Sequence, residues 1–265
     1  MIIKKLKNSY FVKTFRLLKK NPDNLFLMFI FDIWFVAALL LSSKLAGLLG
    51  GILFKQPLQS YSITPLIVFA VGYCLAIIII YSFFKHFVLK YLKSMLEKAK
   101  TGFKGLGSFF LLNLIVITSL FIIFIALNGI FLLNLKQQLR PFALLFISVP
   151  FIFFSYAIIN IAHSLFISLT NIKDVLIKTV KITFTSIKSY AGIYLSSIII
   201  FAVYYFVYYG SMSLLKNTAS YMIYYSAYLK IFVVLTGIIA YTVIFFNRAY
   251  FYLIIKEKFL KSAGG

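Results

Sequence analysis

The sequence predicts an all-α fold: a polytopic membrane protein with six transmembrane helices. Three observations lead there. Six apolar runs, each near the length that crosses a hydrocarbon core of roughly 30 Å, recur along 265 residues. Apolar residues make up 63 % of the chain and charged residues 12 %, against roughly 45–50 % and about 25 % in soluble domains, and the mean hydropathy is +1.01. The 27 basic residues far outnumber the 5 acids and fall mostly on one side of the runs. A single soluble core cannot hide this much apolar surface. A soluble globular enzyme, a disordered chain and a collagen-like chain are therefore excluded.

The runs lie at about 25–42, 65–84, 106–133, 142–169, 191–215 and 227–246. They are continuous rather than alternating, and a helix satisfies its own backbone in lipid, so helices are predicted over barrel strands. The third and fourth exceed the minimum length and are expected to tilt or to project past the bilayer.

Orientation follows from the loops. The N-terminal segment, the segments after spans two and four, and the C-terminal segment together carry 21 of the 27 basic residues. The opposite side holds Lys44, Lys55, Lys136, Arg140, Lys216 and Lys230. Basic loops stay in the cytoplasm, so both termini are expected there, in a multi-pass protein of the cell membrane. No small-residue cleavage site follows the first run, which is expected to act as an uncleaved signal anchor.

The basic segments read as helices in their own right. In residues 2–18, Ile3, Leu6, Tyr10, Phe11, Phe15 and Leu18 recur at helical spacing among lysines and Arg16. That pattern suits a helix in the membrane interface, its long basic side chains reaching the headgroups. Asn21-Pro22-Asp23 then reads as a helix start, with Asn as cap, Pro in the first position and an acid in the first turn. Residues 84–99 carry a second stripe from Phe84 to Ala99, with Thr101-Gly102 as its stop. Residues 172–187 carry a third, through Ile172, Val175, Leu176, Thr179, Ile182 and Ile187. Lys13, Arg16, Lys19, Lys20, Lys90, Lys93, Lys178 and Lys181 are the candidate contacts to anionic lipid headgroups, each worth about 1 kcal/mol near an anionic leaflet. A nucleic-acid partner is not predicted. The chain reads as one membrane domain, within which three helix-hairpin units at 1–84, 85–170 and 171–256 would form a repeat. Residues 44–64, with Gly47, Gly50, Gly51 and Pro57, are compatible with a short re-entrant or interfacial piece.

Few residues could carry chemistry. Asp32 lies inside span one, where an unpaired acid costs about 2.5–3.5 kcal/mol on insertion scales. It is expected to be protonated, inward-facing or partnered, either as a proton or cation site or as hydrogen-bonding glue between helices. By helical rise, Asn113 and His163 fall in the same layer, and Asn160, His163 and Ser164 share one face of span four. An Asp32–His163/Asn160 cluster is the preferred pairing and Asp32–Arg248 the second. Pro150 is expected to kink span four. Tyr204, Tyr205, Tyr208, Tyr209, Tyr221, Tyr224, Tyr225 and Tyr228 suit an interfacial aromatic belt, or else a cage for a cation.

Catalytic and metal-binding constellations are scarce. The one cysteine, Cys74, excludes an intramolecular disulfide and a cysteine metal cluster. Two histidines, His86 and His163, exclude a histidine-rich metal site. There is no P-loop, no His-Glu-x-x-His and no Cys-x-x-Cys. No cofactor and no catalytic residue is predicted.

The phrase Phe15-Arg16-Leu17-Leu18-Lys19-Lys20-Asn21-Pro22-Asp23-Asn24-Leu25-Phe26-Leu27, with its Phe-x-Leu-x-Lys-x-Asn-Pro pattern, resembles a loose group of six-span prokaryotic, especially archaeal, integral membrane proteins of uncharacterised function. The layout is also similar to the membrane domain attached to some glycerophosphodiester phosphodiesterases, and the step from Asp174 to Lys188 into span five has a counterpart in that group. The resemblance implies topology and transfers no catalytic residue. Three expectations follow. The first is a non-catalytic component that organises lipids or supports assembly of a membrane partner or of further copies. The second is a small transporter or channel subunit working through the polar layer. The third is a membrane-embedded lipid-modifying enzyme.

Overall fold

A computed structural model describes residues 9–53, 63–97, 103–133, 135–169, 171–216 and 221–260. Among them there is no β-strand, and six helices are long and apolar enough to cross a membrane. The helices are α1 (Tyr10–Lys19), α2 (Pro22–Leu53), α3 (Ile63–Glu97), α4 (Leu106–Leu133), α5 (Arg140–Phe166), α6 (Ile172–Thr185), α7 (Ile187–Lys216) and α8 (Tyr221–Ile254). One 3₁₀ turn, Gln137–Leu139, leads into α5, and a π-helical turn, Ile255–Leu260, continues α8. The described residues of Lys19–Lys178 form one compact unit, and those of Met1–Leu18 and Thr179–Gly265 another.

Two boundaries differ from the sequence reading, for one physical reason. The stripe at 84–99 is no separate helix: α3 runs unbroken from Ile63 to Glu97. Nothing between Tyr81 and Glu97 is Gly or Pro, so no residue there stops the turn. At 1.5 Å per residue α3 is about 52 Å long, well beyond a hydrocarbon core of roughly 30 Å. Likewise α2 continues through Gly47, Gly50 and Gly51 to Leu53. Each glycine costs about 1 kcal/mol against alanine, less than unsatisfied backbone groups would cost in an apolar surrounding. Residues 54–62 of the 44–64 segment, the Thr101-Gly102 stop and the residues before Ser9 fall outside the described residues, and Ile63 and Thr64 open α3. The predicted start at Asn21-Pro22-Asp23 stands: α2 opens at Pro22, and the Asn21 carbonyl accepts the Leu25 amide at 3.1 Å. Helix α5 passes through Pro150.

In the central unit, Lys19–Lys178, buried side chains concentrate toward the C-terminal half of α3, the N-terminal half of α4 and the C-terminal half of α5. Val88, Leu92, Phe109, Leu112, Ile161, Ala162 and Leu165 are all fully buried. Antiparallel neighbours therefore meet at one end, the end that carries Lys85 to Lys104. Helix α2 docks on α3 through Phe31, stacked on Phe87 at 5.1 Å, and Phe35, edge-on to Tyr81 at 5.9 Å. The opposite halves are lined by exposed Leu, Ile, Val and Phe, the composition of a lipid-facing surface.

The terminal unit is built on the α7–α8 hairpin. Tyr190, Tyr252 and Phe251 are almost wholly buried, and Tyr190 packs on Phe251 at 5.7 Å. The Tyr190 hydroxyl also donates to the Thr183 carbonyl, satisfying an acceptor in the last turn of α6, where intrahelical partners run out. Helix α1 docks on α8 through Phe11 on Phe246 at 4.7 Å and Tyr10 edge-on to Tyr250 at 6.5 Å. Lys13 Nζ meets Glu257 Oε2 at 2.6 Å. The buried Thr14 hydroxyl donates back to the Tyr10 carbonyl at 2.8 Å, which satisfies it beneath the helix.

Candidate functional site: a lysine-lined pocket beside a buried histidine–asparagine pair

Antiparallel packing of α3, α4 and α5 brings Ser82, Asn113 and His163 together. Asn113 Nδ2 donates to Ser82 Oγ at 2.9 Å, and Asn113 Oδ1 lies 2.7 Å from His163 Nε2. With its amide committed to Ser82, Asn113 can only accept from the ring, so His163 Nε2 carries the proton. All three are almost fully buried. Phe109 and Tyr81 flank the imidazole at 5.0 and 6.0 Å. Asn160 is buried one turn away, but its side chain serves its own helix, donating to the Tyr156 carbonyl at 2.8 Å; Ser164 donates to the Asn160 carbonyl. Asp32 is half-buried on α2, between the two rings that dock on α3. Arg248 is half-buried on α8 and belongs to the terminal unit, whereas Asp32 belongs to the central one.

A pocket of about 440 Å³ opens beside this pair, lined by His86, Leu89, Lys90, Lys93, Lys104, Gly105, Ser108, Phe109, Phe166, Ile167 and Leu169. Its size falls in the usual range for small-molecule sites. Three helix ends build it. The C-terminal third of α3 supplies Lys90 and Lys93, one turn apart in position. The turn into α4 supplies Lys104 and Gly105, whose φ of +89° only glycine adopts without strain. This turn is closed by the Leu106 amide on the Phe103 carbonyl at 3.1 Å, and the Phe109 amide takes the Gly105 carbonyl at 2.9 Å. The other amides of the first turn, on Gly107 and Ser108, have no carbonyl partner outside the helix among the described residues. The end of α5 supplies Phe166 and Ile167.

The three lysines have different surroundings. Lys93 Nζ donates to the Ile167 carbonyl at 3.0 Å and lies 3.6 Å from Glu97 Oε2. It caps the carbonyl end of α5, where a cation is favoured. Lys90 and Lys104 make no hydrogen bond or ion pair with any described residue, and both Lys93 and Lys104 act electrostatically on Lys90. The pocket thus gathers more positive charge than its walls neutralise.

The remaining headgroup candidates lie on the short helices. Arg16, Lys19 and Lys20 on and just after α1, and Lys178 and Lys181 on α6, are exposed; Lys13 is engaged with Glu257. Both helices are two-striped. Thr14 and Leu18 of α1 are buried while Phe11 and Phe15 are exposed. In α6, Val175, Thr179, Ile182 and Thr183 are buried while Ile177, Val180 and Phe184 form an exposed apolar stripe.

Sequence reasoning missed several polar residues here. Lys85 and His86 are buried in α3, and the buried Asn247 of α8 donates to Ser197 Oγ of α7 at 3.3 Å. Ser82 and Asn247, isolated in apolar runs, were the available signal. Of the described tyrosines of the α7–α8 hairpin, Tyr205, Tyr209 and Tyr224 are exposed, while Tyr204, Tyr208, Tyr225 and Tyr228 are half-buried. Tyr228 OH donates to the Tyr208 carbonyl at 2.7 Å and meets Ser211 Oγ at 2.9 Å, and Tyr204 OH meets the Phe232 carbonyl and Thr236 Oγ1. No group of three or more His, Cys, Asp or Glu able to hold a metal occurs among the described residues. Comparison with protein families, with curated proteins and with solved structures gives no match.

Proposed function

We propose that the protein is a non-catalytic, multi-pass component of the cell membrane that organises anionic lipids at its basic side, with both termini in the cytoplasm. The observation that carries this reading is the pair of two-striped helices. A soluble amphipathic helix buries its one apolar stripe and exposes polar residues. Helices α1 and α6 bury one stripe in the protein and expose a second, Phe11 with Phe15 and Ile177 with Val180 and Phe184, beside Arg16, Lys178 and Lys181. Exposed apolar side chains next to exposed basic ones suit the headgroup–acyl boundary, where rings and aliphatic chains meet lipid tails and cations meet phosphates.

The transporter reading calls for a water-filled path to His163 or Asp32. His163 is only 2 % exposed and closed in by Phe109 and Tyr81, which counts against a path through that residue.

The single tryptophan provides the test. Trp34 is 62 % exposed on α2. In vesicles, phosphatidylglycerol with brominated acyl chains is expected to quench Trp34 more strongly than brominated phosphatidylcholine, with the preference shrinking in salt. An R16Q/K19Q/K20Q/K178Q/K181Q variant is expected to lose much of it. Equal quenching by the two lipids in the unaltered protein would remove the reading.

A further inference from the structure

We propose that the pocket between α3, the start of α4 and the end of α5 is a binding site for a phosphomonoester dianion, the chemistry shared by a phosphatidic-acid headgroup and free inorganic phosphate. The inference rests on the lipid-organising reading, which places this end of the central unit at the headgroup layer.

Four features converge on one cavity. Lys90 and Lys104 line it without a hydrogen bond or ion pair to any described residue. Holding two like charges together is unfavourable unless an anion joins them. Glu97 is engaged with Lys93, and no carboxylate is among the described residues that line the pocket. The amide and hydroxyl of Ser108 add donors at a helix N-terminus, where the dipole favours negative charge. Gly105, with its positive φ, lets the backbone turn sharply enough to present them.

Charge selects the class of ligand. A phosphomonoester carries about −1.5 to −2 at pH 7, matching two uncompensated ammonium groups. A phosphodiester carries one charge and fewer free oxygens. The remaining walls, Leu89, Phe109, Phe166 and Leu169, are apolar and suit the glycerol and upper acyl region of a lipid. His86, 3 % exposed, is packed against Phe109 and Phe87 and forms a fixed wall.

The test uses the full chain in detergent, titrated with phosphatidic acid, phosphatidylglycerol or phosphatidylcholine and read by native mass spectrometry, with a parallel equilibrium-binding arm using radiolabelled inorganic phosphate. Phosphatidic acid is expected to bind at least about fivefold tighter than phosphatidylglycerol. K90Q/K104Q is expected to abolish that preference, and K90R to retain it. R16Q/K19Q/K20Q, outside the pocket, is expected to lower binding of both anionic lipids and keep their ratio. Saturable binding of inorganic phosphate, lost in K90Q/K104Q, with no preference among the lipids, would support the site and assign it to the free ion. No phosphomonoester preference in either arm, or a preference that survives K90Q/K104Q, overturns the site. In that case salt-sensitive binding of both anionic lipids over phosphatidylcholine leaves the lipid-organising reading standing. Equal binding of all three lipids removes that reading, while the phosphate arm still judges the pocket. Circular dichroism and thermal unfolding of each variant separate loss of binding from loss of fold.

Discussion

Asn113 joins two helices at once: its amide nitrogen reaches Ser82 on α3 at 2.9 Å and its oxygen accepts from His163 on α5 at 2.7 Å. Both bonds are buried, so neither partner can turn to water when Asn113 is removed. N113L is expected to destabilise the protein by about 1–3 kcal/mol, the cost of stranding buried polar groups. The double variant N113L/H163F is expected to be less damaged than the two single changes added together, because apolar partners replace polar ones on both sides. Thermal unfolding in detergent, arranged as a double-mutant cycle, measures this. Strict additivity would mean that the two side chains do not act as a pair.

At the end of the α7–α8 hairpin that carries Tyr208 and Tyr228, a tyrosine hydroxyl ties the two helices together. Tyr228→Phe keeps the ring against Phe232, at 4.5 Å, and removes the bonds to the Tyr208 carbonyl and Ser211. A loss of about 0.5–1.5 kcal/mol is expected. Hydrogen exchange is expected to rise locally around 204–211 and 225–232, with little change elsewhere. Tyr228→Leu, which also removes the ring contact, is expected to lose more.

The Lys13–Glu257 pair is short but well exposed, at 40 % and 29 % of the two side chains. Such pairs contribute about 0–1 kcal/mol, so Glu257→Gln is expected to leave unfolding nearly unchanged. Its effect on lipid has the opposite sign to that of losing a lysine. Freed from Glu257, Lys13 becomes available to phosphates, and retention of phosphatidylglycerol at low salt is expected to rise modestly. A fall in retention would show that the pair positions α1 at the membrane.

The sequence made the six crossings and their helical nature legible, because runs such as 106–133 offer no other way to satisfy their backbone in lipid. It also made the Pro22 start legible, because capping chemistry is local. Helix ends without a breaker were not: nothing in Phe84 to Glu97 says whether a stripe belongs to a new helix or prolongs the old one. In the candidate site, Asn113 and His163 were placed in one layer by counting helical rise along each span. Rise gives depth but not rotation, so the same counting could not say that Asn160 would bond its own helix, or that Ser82 would complete the pair. The pocket was still less visible. Lys90, Lys93 and Lys104 were legible as basic flanks, but their convergence depends on where α4 starts, and that depends on the backbone angle at Gly105.

Sidedness underlies all of this, and cysteine accessibility measures it most directly. In a C74S background, single cysteines placed by S9C, Q138C and S262C are exposed to a membrane-impermeant maleimide on intact cells. S9C and S262C are expected to label only after permeabilisation, while Q138C, in the turn before α5, is expected to label at once. Labelling of S9C and S262C from opposite faces, or of Q138C from the same face as S9C, would contradict this sidedness.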